Sequence, residues 1–168
     1  MKNVELKSMH HVYLVAEDDK SAQMLLQRAF LKAGLDFPMH FTSDGQETLD
    51  YLNGLGQFSN REQFPFPALL LLDFNMPKLN GLEVLKMIRG DPTLKKLIVV
   101  MLSSSIDESQ IAEAYEAGVN SYVEKPSDFS ELLHTAMCIN AYWFGCNHFP
   151  HAQSGIVRPQ KQLRRRAL

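Results

Sequence analysis

Five strand-like segments alternate with helix-like segments along this chain, and that alternation limits its fold more than any other feature. The strand-like segments are HVYLVA (11–16), FPMHFTS (37–43), ALLLLD (68–73), LIVVML (97–102) and NSYVEK (120–125). The third and fourth are continuous apolar runs, which are typical of parallel strands covered by helices on both faces. The order predicts an α/β, flavodoxin-like doubly wound fold with a five-stranded parallel sheet in the order 2-1-3-4-5. Periodicity alone leaves other doubly wound strand orders open.

Start and stop signals for helices lie between the predicted strands. Asn80 is expected to cap the third helix, and Gly34 and Gly118 are expected to end the first and the fourth. Two further pairs have the spacing of capping boxes: Asp44 with Glu47, and Ser105 with Glu108. The last helix is predicted over about residues 128–146.

Length and composition indicate one folded domain. The chain has 168 residues, of which 45% are hydrophobic, enough for a single packed core. We expect one domain over residues 1–150, with an extended last helix, and a disordered basic tail over residues 151–168. The formal net charge is −2, so we expect no binding to nucleic acid apart from weak contacts of that tail.

Membrane signals and cysteine motifs are also missing from the sequence. No apolar run approaches the roughly 18 residues of a membrane-spanning helix, and the amino-terminal segment lacks the apolar core of a signal peptide. We therefore expect a cytoplasmic protein that does not bind membranes. Cys138 and Cys146 lie eight positions apart, which fits neither a redox pair nor a zinc knuckle. Both are expected to be reduced and without a functional role.

Polar residues cluster where the predicted strands end. They are Glu17, Asp18 and Asp19 after the first strand, Asp73 after the third, Ser103, Ser104 and Ser105 after the fourth, and Lys125 after the fifth. The carboxyl ends of parallel strands meet at one edge of the sheet, where ligands bind in such folds. Carboxylates brought together there repel each other unless a cation lies among them. Mg²⁺ fits, because it binds a few carboxylates and keeps water ligands for an incoming phosphate.

Asp73 ends the most hydrophobic segment of the chain, and turn residues follow it at once. A carboxylate presented by a rigid strand in this way can attack phosphorus and form an acyl phosphate. Phosphoryl transfer depends mainly on positioning and on charge neutralisation. Mg²⁺ would neutralise one phosphoryl oxygen, Lys125 a second, and the Ser103 hydroxyl or a backbone N–H the third. The residues at this edge therefore suffice to accept a phosphoryl group.

Four segments resemble the receiver domain of two-component response regulators. They are VAEDD (15–19), LLLLDFNMPKLNG (69–81), VVMLSSS (99–105) and YVEKP (122–126). The separations match as well, because Ser103 lies 30 positions after Asp73 and Lys125 lies 52 positions after it. The resemblance covers about residues 10–147 and implies a phosphorylated signalling protein.

The resemblance also implies a role for each residue at the strand ends. In the family pattern Asp73 is the phosphoacceptor, Asp18 a direct metal ligand, Glu17 a ligand through water, Asn75 a ligand through its carbonyl, Ser103 the hydroxyl switch, Tyr122 the aromatic switch and Lys125 the invariant lysine. A cis bond between Lys125 and Pro126 is implied too. Asp19 follows the acidic pair and is expected to cap the next helix. Glu17 in place of an aspartate and Ser103 in place of a threonine are mild departures from the pattern.

Two further segments are similar to the phytochrome-associated single-domain response regulators. NGLGQFSNREQFPFP (53–67) lengthens the connection before the third strand, and AYWFGCNHFP (141–150) adds aromatic residues to the last helix. This similarity implies a sensor histidine kinase of phytochrome type as partner, and a homodimer formed through helix 4, strand 5 and helix 5. The last helix carries two apolar stripes, which fits a dimer, although a thicker contact with the core would also explain the second stripe. The first stripe consists of Phe129, Leu132, Ala136 and Trp143, and the second of Leu133, Met137 and Phe144. The expected interface residues are Leu133, Met137, Tyr142, Trp143 and Phe144.

Two other functions stay open at this point. A haloacid-dehalogenase-like phosphohydrolase also uses an aspartate at a strand end, but it needs a second aspartate two positions later, where this chain has Asn75. A pseudo-receiver is a binding module that has lost one of the acids or the lysine, and none is lost here. We expect no enzyme activity apart from Mg²⁺-dependent self-phosphorylation and autodephosphorylation. Output is then expected to run through protein–protein contacts.

Overall fold

A computed structural model describes residues 12–34 and 38–147. Within these ranges the strands are β1 (Tyr13–Ala16), β2 (Met39–Thr42), β3 (Leu69–Asp73), β4 (Ile98–Ser103) and β5 (Ser121–Glu124). The helices are α1 (Lys20–Lys32), α2 (Gly45–Asn53), α3 (Gly81–Gly90), α4 (Glu108–Glu116) and α5 (Phe129–Asn140), and a short 3₁₀ helix spans Gly56–Phe58. The strands are parallel and follow the order β2-β1-β3-β4-β5. The predicted α/β doubly wound fold is confirmed.

Some expectations from the sequence fall on residues outside the described ranges. These are the basic tail (151–168), the first residues of predicted strands 1 and 2 (11 and 37), and the end of the aromatic segment (148–150). Across 12–34 and 38–147, no helix is both long enough and apolar enough to cross a bilayer.

The sheet is buried on both faces, as its continuous apolar runs predict. Every residue of β3 and β4 is buried. Leu70 and Leu72 join a cluster beneath α2, α3 and α4, whereas Leu69 and Leu71 join a second cluster beneath α1 and α5. Successive side chains of a strand point to opposite faces, so one apolar run fills both clusters. The burial fixes β3 in the centre of the sheet and leaves its end as the place for polar chemistry.

The helices that follow β1 and β3 begin with strong caps. The Asp19 carboxylate accepts hydrogen bonds from the backbone N–H groups of Ser21 and Ala22 at the start of α1. Asn80 and Glu83 form a full capping box at the start of α3. These caps satisfy N–H groups that have no partner inside the helix. Both therefore fix the chain where it turns away from the carboxyl edge of the sheet.

The two capping boxes expected at α2 and α4 are wrong in detail. α4 is capped by Asp107 instead of Ser105, since the Asp107 carboxylate accepts from two backbone N–H groups of the first turn. An anion at this position is also favoured by the helix dipole. At α2 the side chain of Asp44 does cap the helix, but Glu47 accepts from the N–H of Ser43 and not from that of Asp44.

The long connection between α2 and β3 is a packed segment. The Tyr51 and Phe58 rings have centroids 5.1 Å apart, and Phe64 completes an edge-to-face cluster at 5.2 Å from Phe58. Arg61 donates hydrogen bonds to the carbonyls of Tyr51 and Leu52, at 2.8 and 2.7 Å. These carbonyls belong to the last turn of α2, which a helix cannot satisfy by itself. The segment therefore holds the end of α2 against the core.

The last helix has the predicted extent, but its final part is not an α-helix. α5 continues into a π-helical segment, Ala141–Cys146. Trp143 is 9% exposed, and the Phe144 ring lies 5.1 Å from the ring of Tyr13. Both aromatic side chains contact the cluster beneath α1 and α5. A π turn changes the direction in which successive side chains point, so residues of both predicted stripes reach the core of their own chain.

Candidate functional site

Asp73 lies at the centre of the carboxyl edge of the sheet. It is the last residue of β3, which pairs with β1 on one side and with β4 on the other. Leu72 is opposite Ala16 of β1, and Asp73 is opposite Leu102 of β4. Glu17 follows Ala16 directly, so strand pairing brings Glu17 beside Asp73.

Three carboxylates share this edge. Glu17, Asp18 and Asp73 each offer one carboxylate oxygen, and these three oxygens lie within 4.8 Å of one another. Glu17 is 2% exposed and Asp73 is 5% exposed, whereas Asp18 faces solvent. A set of carboxylate oxygens with one side open to water fits a hard dication, which keeps part of its hydration shell. The acids predicted to hold the metal are therefore brought together.

The ammonium group of Lys125 lies between the two buried carboxylates. Its Nζ atom is 2.7 Å from Glu17 Oε2 and 2.6 Å from Asp73 Oδ2. Burial raises the pKa of the Glu17 carboxyl, although Lys125 opposes that rise. Burial also acts to lower the pKa of Lys125, but the hydrogen bonds to Asp73 and Glu17 outweigh it and raise this pKa. Lys125 is therefore charged at neutral pH and offsets the repulsion between the acids.

The peptide bond between Lys125 and Pro126 is trans, so the cis bond implied by the family resemblance is wrong. No cis bond occurs in the part of the chain that the structure describes. The lysine side chain reaches both carboxylates from the trans backbone. The aim of the ammonium group therefore does not depend on a cis bond.

The backbone after Asp73 is held by a set of short contacts. The Asn75 N–H donates to Asp73 Oδ1 at 3.1 Å. The Phe74 N–H donates to the carbonyl of Leu102, and the Gly81 N–H donates to the carbonyl of Phe74, both at 2.9 Å. A Cβ atom on Gly81 would lie 2.3 Å from the backbone oxygen of Asp73. The first residue of α3 thus packs directly on the backbone of Asp73, at a distance that excludes any side chain.

The two predicted switch residues are joined through a third residue. Ser103 is fully buried, and its Oγ atom accepts a hydrogen bond from the Ser105 N–H at 3.1 Å. The Tyr122 hydroxyl donates to the Ser105 carbonyl at 3.0 Å. The half-buried Tyr122 ring also packs edge to face against Phe74, the residue after Asp73. A continuous set of contacts therefore links the end of β4 to β5.

Two polar contacts, one at the site and one in the loop after β3, were not predicted from the sequence. Gln23 is 7% exposed, and its amide donates to the carbonyl of Glu17 at 2.5 Å. The sequence does contain a pattern that predicts its burial, because Gln23 lies three positions before Leu26 and therefore on the buried stripe of α1. Lys78 has a positive φ of 65°, and its Nζ atom lies 2.6 Å from Asp44 Oδ2. A positive φ at a lysine has no sequence signal, because glycine or asparagine is usual there.

The predicted interface residues fall into two environments. Met137 and Tyr142 are 51% and 57% exposed, and Leu133 is half-buried. Trp143 and Phe144 instead pack against the core of their own chain. Of the five residues, Met137, Tyr142 and Leu133 are thus accessible at the surface. A thicker core contact explains the part of the second stripe that includes Phe144.

Comparison with known proteins identifies the family of this chain. The family model of the response regulator receiver domain matches residues 13–137. The chain is 36% identical over 139 residues to Probable methanogenesis regulatory protein FilR2 of Methanothrix harundinacea, covering 83% of this chain and 87% of that protein. It is 33% identical over 141 residues to Response regulator Rcp1 of Synechocystis, covering 84% and 94%. The chain therefore belongs to the response regulator receiver family, whose members are signalling modules of two-component systems.

Solved structures of receiver proteins share this fold. Response regulator RPA3017 in red light signaling of R. palustris is 36% identical, with a TM-score of 0.80 over 83% of this chain and 98% of that one. The phosphorylated cyanobacterial phytochrome response regulator RcpA is 35% identical, with a TM-score of 0.77 over 84% and 99%. The Mn²⁺-bound form of Rcp1 is 32% identical, with a TM-score of 0.74 over 83% and 99%. Receiver domains bind a divalent metal in an acidic pocket, and Glu17, Asp18 and Asp73 form such a pocket here.

Gly81→Ala is expected to displace Asp73, because the new methyl group would collide with the backbone oxygen of that residue. Overpacking of this kind typically lowers the free energy of unfolding by about 1–3 kcal/mol. Gly90→Ala at the other end of α3 is the matched control, since a Cβ atom there meets nothing within 4 Å. Urea denaturation of both variants provides the measurement. Equal stability of the two variants would show that the contact at Gly81 does not constrain the site.

Proposed function

We propose that this chain is a response regulator that accepts a phosphoryl group on Asp73 from a sensor histidine kinase of phytochrome type. One observation carries the proposal: Asp73 is buried at the carboxyl edge, contacts Lys125, and shares that edge with two further carboxylates. Burying charges of like sign is unfavourable for folding, which favours a functional role for these carboxylates. The likeness to RPA3017 and RcpA supports a kinase of the phytochrome class.

The proposed chemistry begins with the Asp73 carboxylate. One of its oxygens forms a bond to phosphorus while the bond between phosphorus and the histidine nitrogen of the kinase breaks, and that nitrogen keeps the electron pair. The Asn75 N–H already holds Asp73 Oδ1, and Lys125 already contacts Oδ2. The lysine therefore needs only a small movement to follow the negative charge onto a phosphoryl oxygen.

Mg²⁺ is the proposed cofactor. Glu17, Asp18 and Asp73, with the backbone carbonyl of Asn75, would hold it at this edge. When bound, the ion neutralises negative charge on the phosphoryl group. The chain itself prepares the acids, because Gln23 holds the carbonyl of Glu17 through its amide. The Mn²⁺-bound form of Rcp1 supports a divalent ion in this position.

The proposed output starts at Ser103 and reaches the surface of β5. A phosphoryl group on Asp73 would draw the Ser103 hydroxyl toward one of its oxygens, and the Ser105 N–H that now donates to this hydroxyl would move with it. The Tyr122 hydroxyl already donates to the Ser105 carbonyl, so phosphorylation would change an existing hydrogen bond between the loop after β4 and β5. A switch of this kind works only if the new hydrogen bond favours one of two states.

We further propose one receiver domain over residues 1–150, which acts in the cytoplasm and signals by protein contact. A homodimer through α4, β5 and α5 is part of this proposal. Met137 on α5 and Tyr142 on the π-helical segment that follows are large exposed side chains, and such residues suit the core of a protein interface.

Asp73→Asn is expected to abolish phosphoryl labelling by a kinase or by acetyl phosphate, because an amide cannot supply the attacking oxygen. Asp19→Asn is the control: it replaces a nearby acid that caps α1, and asparagine caps equally well. Both variants are compared by acid-labile label after gel filtration. Label retained in Asp73→Asn would place the acceptor elsewhere, and no label in the parent chain would point to a pseudo-receiver.

Ser103→Ala is expected to accept phosphate but to lose most of the gain in partner affinity or dimerisation that phosphorylation produces. A hydrogen bond to a charged group contributes about 1.5–3 kcal/mol, so the gain should fall roughly ten- to a hundredfold. Ser104→Ala, at the exposed neighbouring position, should keep the full gain. The measurement is affinity with and without beryllium fluoride and Mg²⁺. The same gain in all three proteins would eliminate Ser103 as the coupling residue.

Met137→Glu is expected to raise the dimer dissociation constant about tenfold or more, because a charge in an apolar interface is unfavourable. Met87→Glu places the same substitution on α3, where Met87 is similarly exposed, and should leave the mass unchanged. Phe144 is unsuitable for this test, since its ring packs on Tyr13. Light scattering across a concentration series gives the result. An unchanged dissociation constant for Met137→Glu would remove this face of α5 from the interface.

A further inference from the structure

His134 and Cys138 lie one turn apart on the solvent-facing side of α5. Both side chains are exposed, and residues four positions apart on a helix are neighbours on one face. His134 Nε2 and Cys138 Sγ are 3.5 Å apart. Neither residue takes part in the phosphoryl site. An imidazole and a thiol in contact are two of the side chains that bind Zn²⁺ best.

The distance between these two atoms matches a shared metal ion. In a tetrahedral zinc site the Zn–S and Zn–N bonds are about 2.3 and 2.0–2.1 Å long, so the nitrogen and the sulfur lie about 3.6 Å apart. The observed 3.5 Å is within the tolerance of such a site. Without a metal the same contact is a weak hydrogen bond, which keeps both side chains in this arrangement. The pair is thus a half-site that needs little rearrangement.

Two ligands leave a tetrahedral ion incomplete. Among the residues that the structure describes, the only group of three or more metal-ligating acids, histidines and cysteines is Glu17, Asp18 and Asp73. The described part of the chain therefore supplies no further ligand to this pair. A second copy related by a two-fold axis supplies the same two side chains, because such an interface presents one patch to itself. Two neutral imidazoles and two thiolates then surround one dication, and two thiol protons are released on binding.

We propose that Zn²⁺, or another thiophilic divalent cation, binds between two copies of this chain through His134 and Cys138 of each copy. The proposal rests on the proposed pairing of chains through α5. The exposed side chain of Met137 precedes Cys138, and that of Tyr142 lies four positions after it, so apolar contacts for a second copy flank the pair. Soft ligands of this kind select zinc over Mg²⁺. The spacing of Cys138 and Cys146 does not predict this site, because the partner of Cys138 is a histidine and not the second cysteine.

Cobalt substitution tests the proposal directly. Co²⁺ is titrated into the full chain with excess Mg²⁺ for the carboxylate edge and a non-thiol reductant. The expected result is a thiolate-to-cobalt charge-transfer band with the strong visible absorption of tetrahedral cobalt, saturating at one ion for two chains. Zn²⁺ should displace the cobalt. It should also lower the dimer dissociation constant about tenfold or more, because an ion that binds the dimer but not the monomer stabilises the dimer. Saturation at one ion per chain without a change in mass would overturn the shared site.

Three substitutions complete the test. His134→Ala and Cys138→Ser should each remove both absorption features and the effect of Zn²⁺ on dimer mass. Cys146→Ser, another exposed thiol near the end of the same helix, should retain them. All three positions are exposed, so none of the substitutions removes a core side chain.

Cobalt absorption features that persist without His134 or Cys138 would contradict the proposal. A dimer that the reductant disrupts would also contradict it, because such a dimer is held by a disulfide. If the bands are missing while a dimer persists in EDTA, the metal site fails but the proposed α5 dimer stands. Labelling of Asp73 is unaffected by either result.

Discussion

One ammonium group between two buried carboxylates is the interaction on which this site depends. Glu17 and Asp73 are removed from water at the ends of neighbouring strands, and Lys125 reaches both of them from the end of β5. Removing one partner of a buried ion pair typically costs about 3–5 kcal/mol, because the other charge is left without compensation. The strand order is what makes the arrangement possible, since it places an acid-bearing strand beside β3 and the lysine on the far side of β4. The arrangement of these charges therefore depends on the order of the strands as much as on the sequence.

The backbone around Asp73 is fixed, while the contacts that lead away from it can change. Gly81 packs on the backbone of Asp73 with no room for a side chain, and the Asn75 N–H holds one carboxylate oxygen. The Ser103 hydroxyl, by contrast, accepts a hydrogen bond from the Ser105 N–H. Under the proposed function the same hydroxyl would donate to a phosphoryl oxygen and carry the Ser105 N–H with it. A fixed carboxylate beside a movable hydroxyl is the arrangement that a chemical switch needs.

The sequence predicted the parts of the structure that depend on repeating patterns. The apolar runs and the polar residues at strand ends were enough to predict the parallel sheet and the position of Asp73 at its edge, because burial on two faces has few solutions. The strand order was predicted too, although periodicity alone left other doubly wound orders open. Single contacts were harder. The positive φ of Lys78 and the choice of Asp107 as a cap depend on local geometry that several sequences share. The π-helical end of the last helix was not predicted, since helical periodicity assumes 3.6 residues per turn. As a result Phe144, predicted to lie on a surface stripe, packs against the core.

The packing of Trp143 has a practical consequence for spectroscopy. Trp143 is the single tryptophan of the chain and is almost fully buried. α5 starts after β5 and runs back along the sheet, so the indole lies near the beginning of β1, where Phe144 meets Tyr13. Its emission therefore reports how the end of the last helix packs, and it has no direct contact with the chemistry at Asp73. A change in emission on phosphorylation would mean that a signal had travelled from one edge of the sheet to the opposite one.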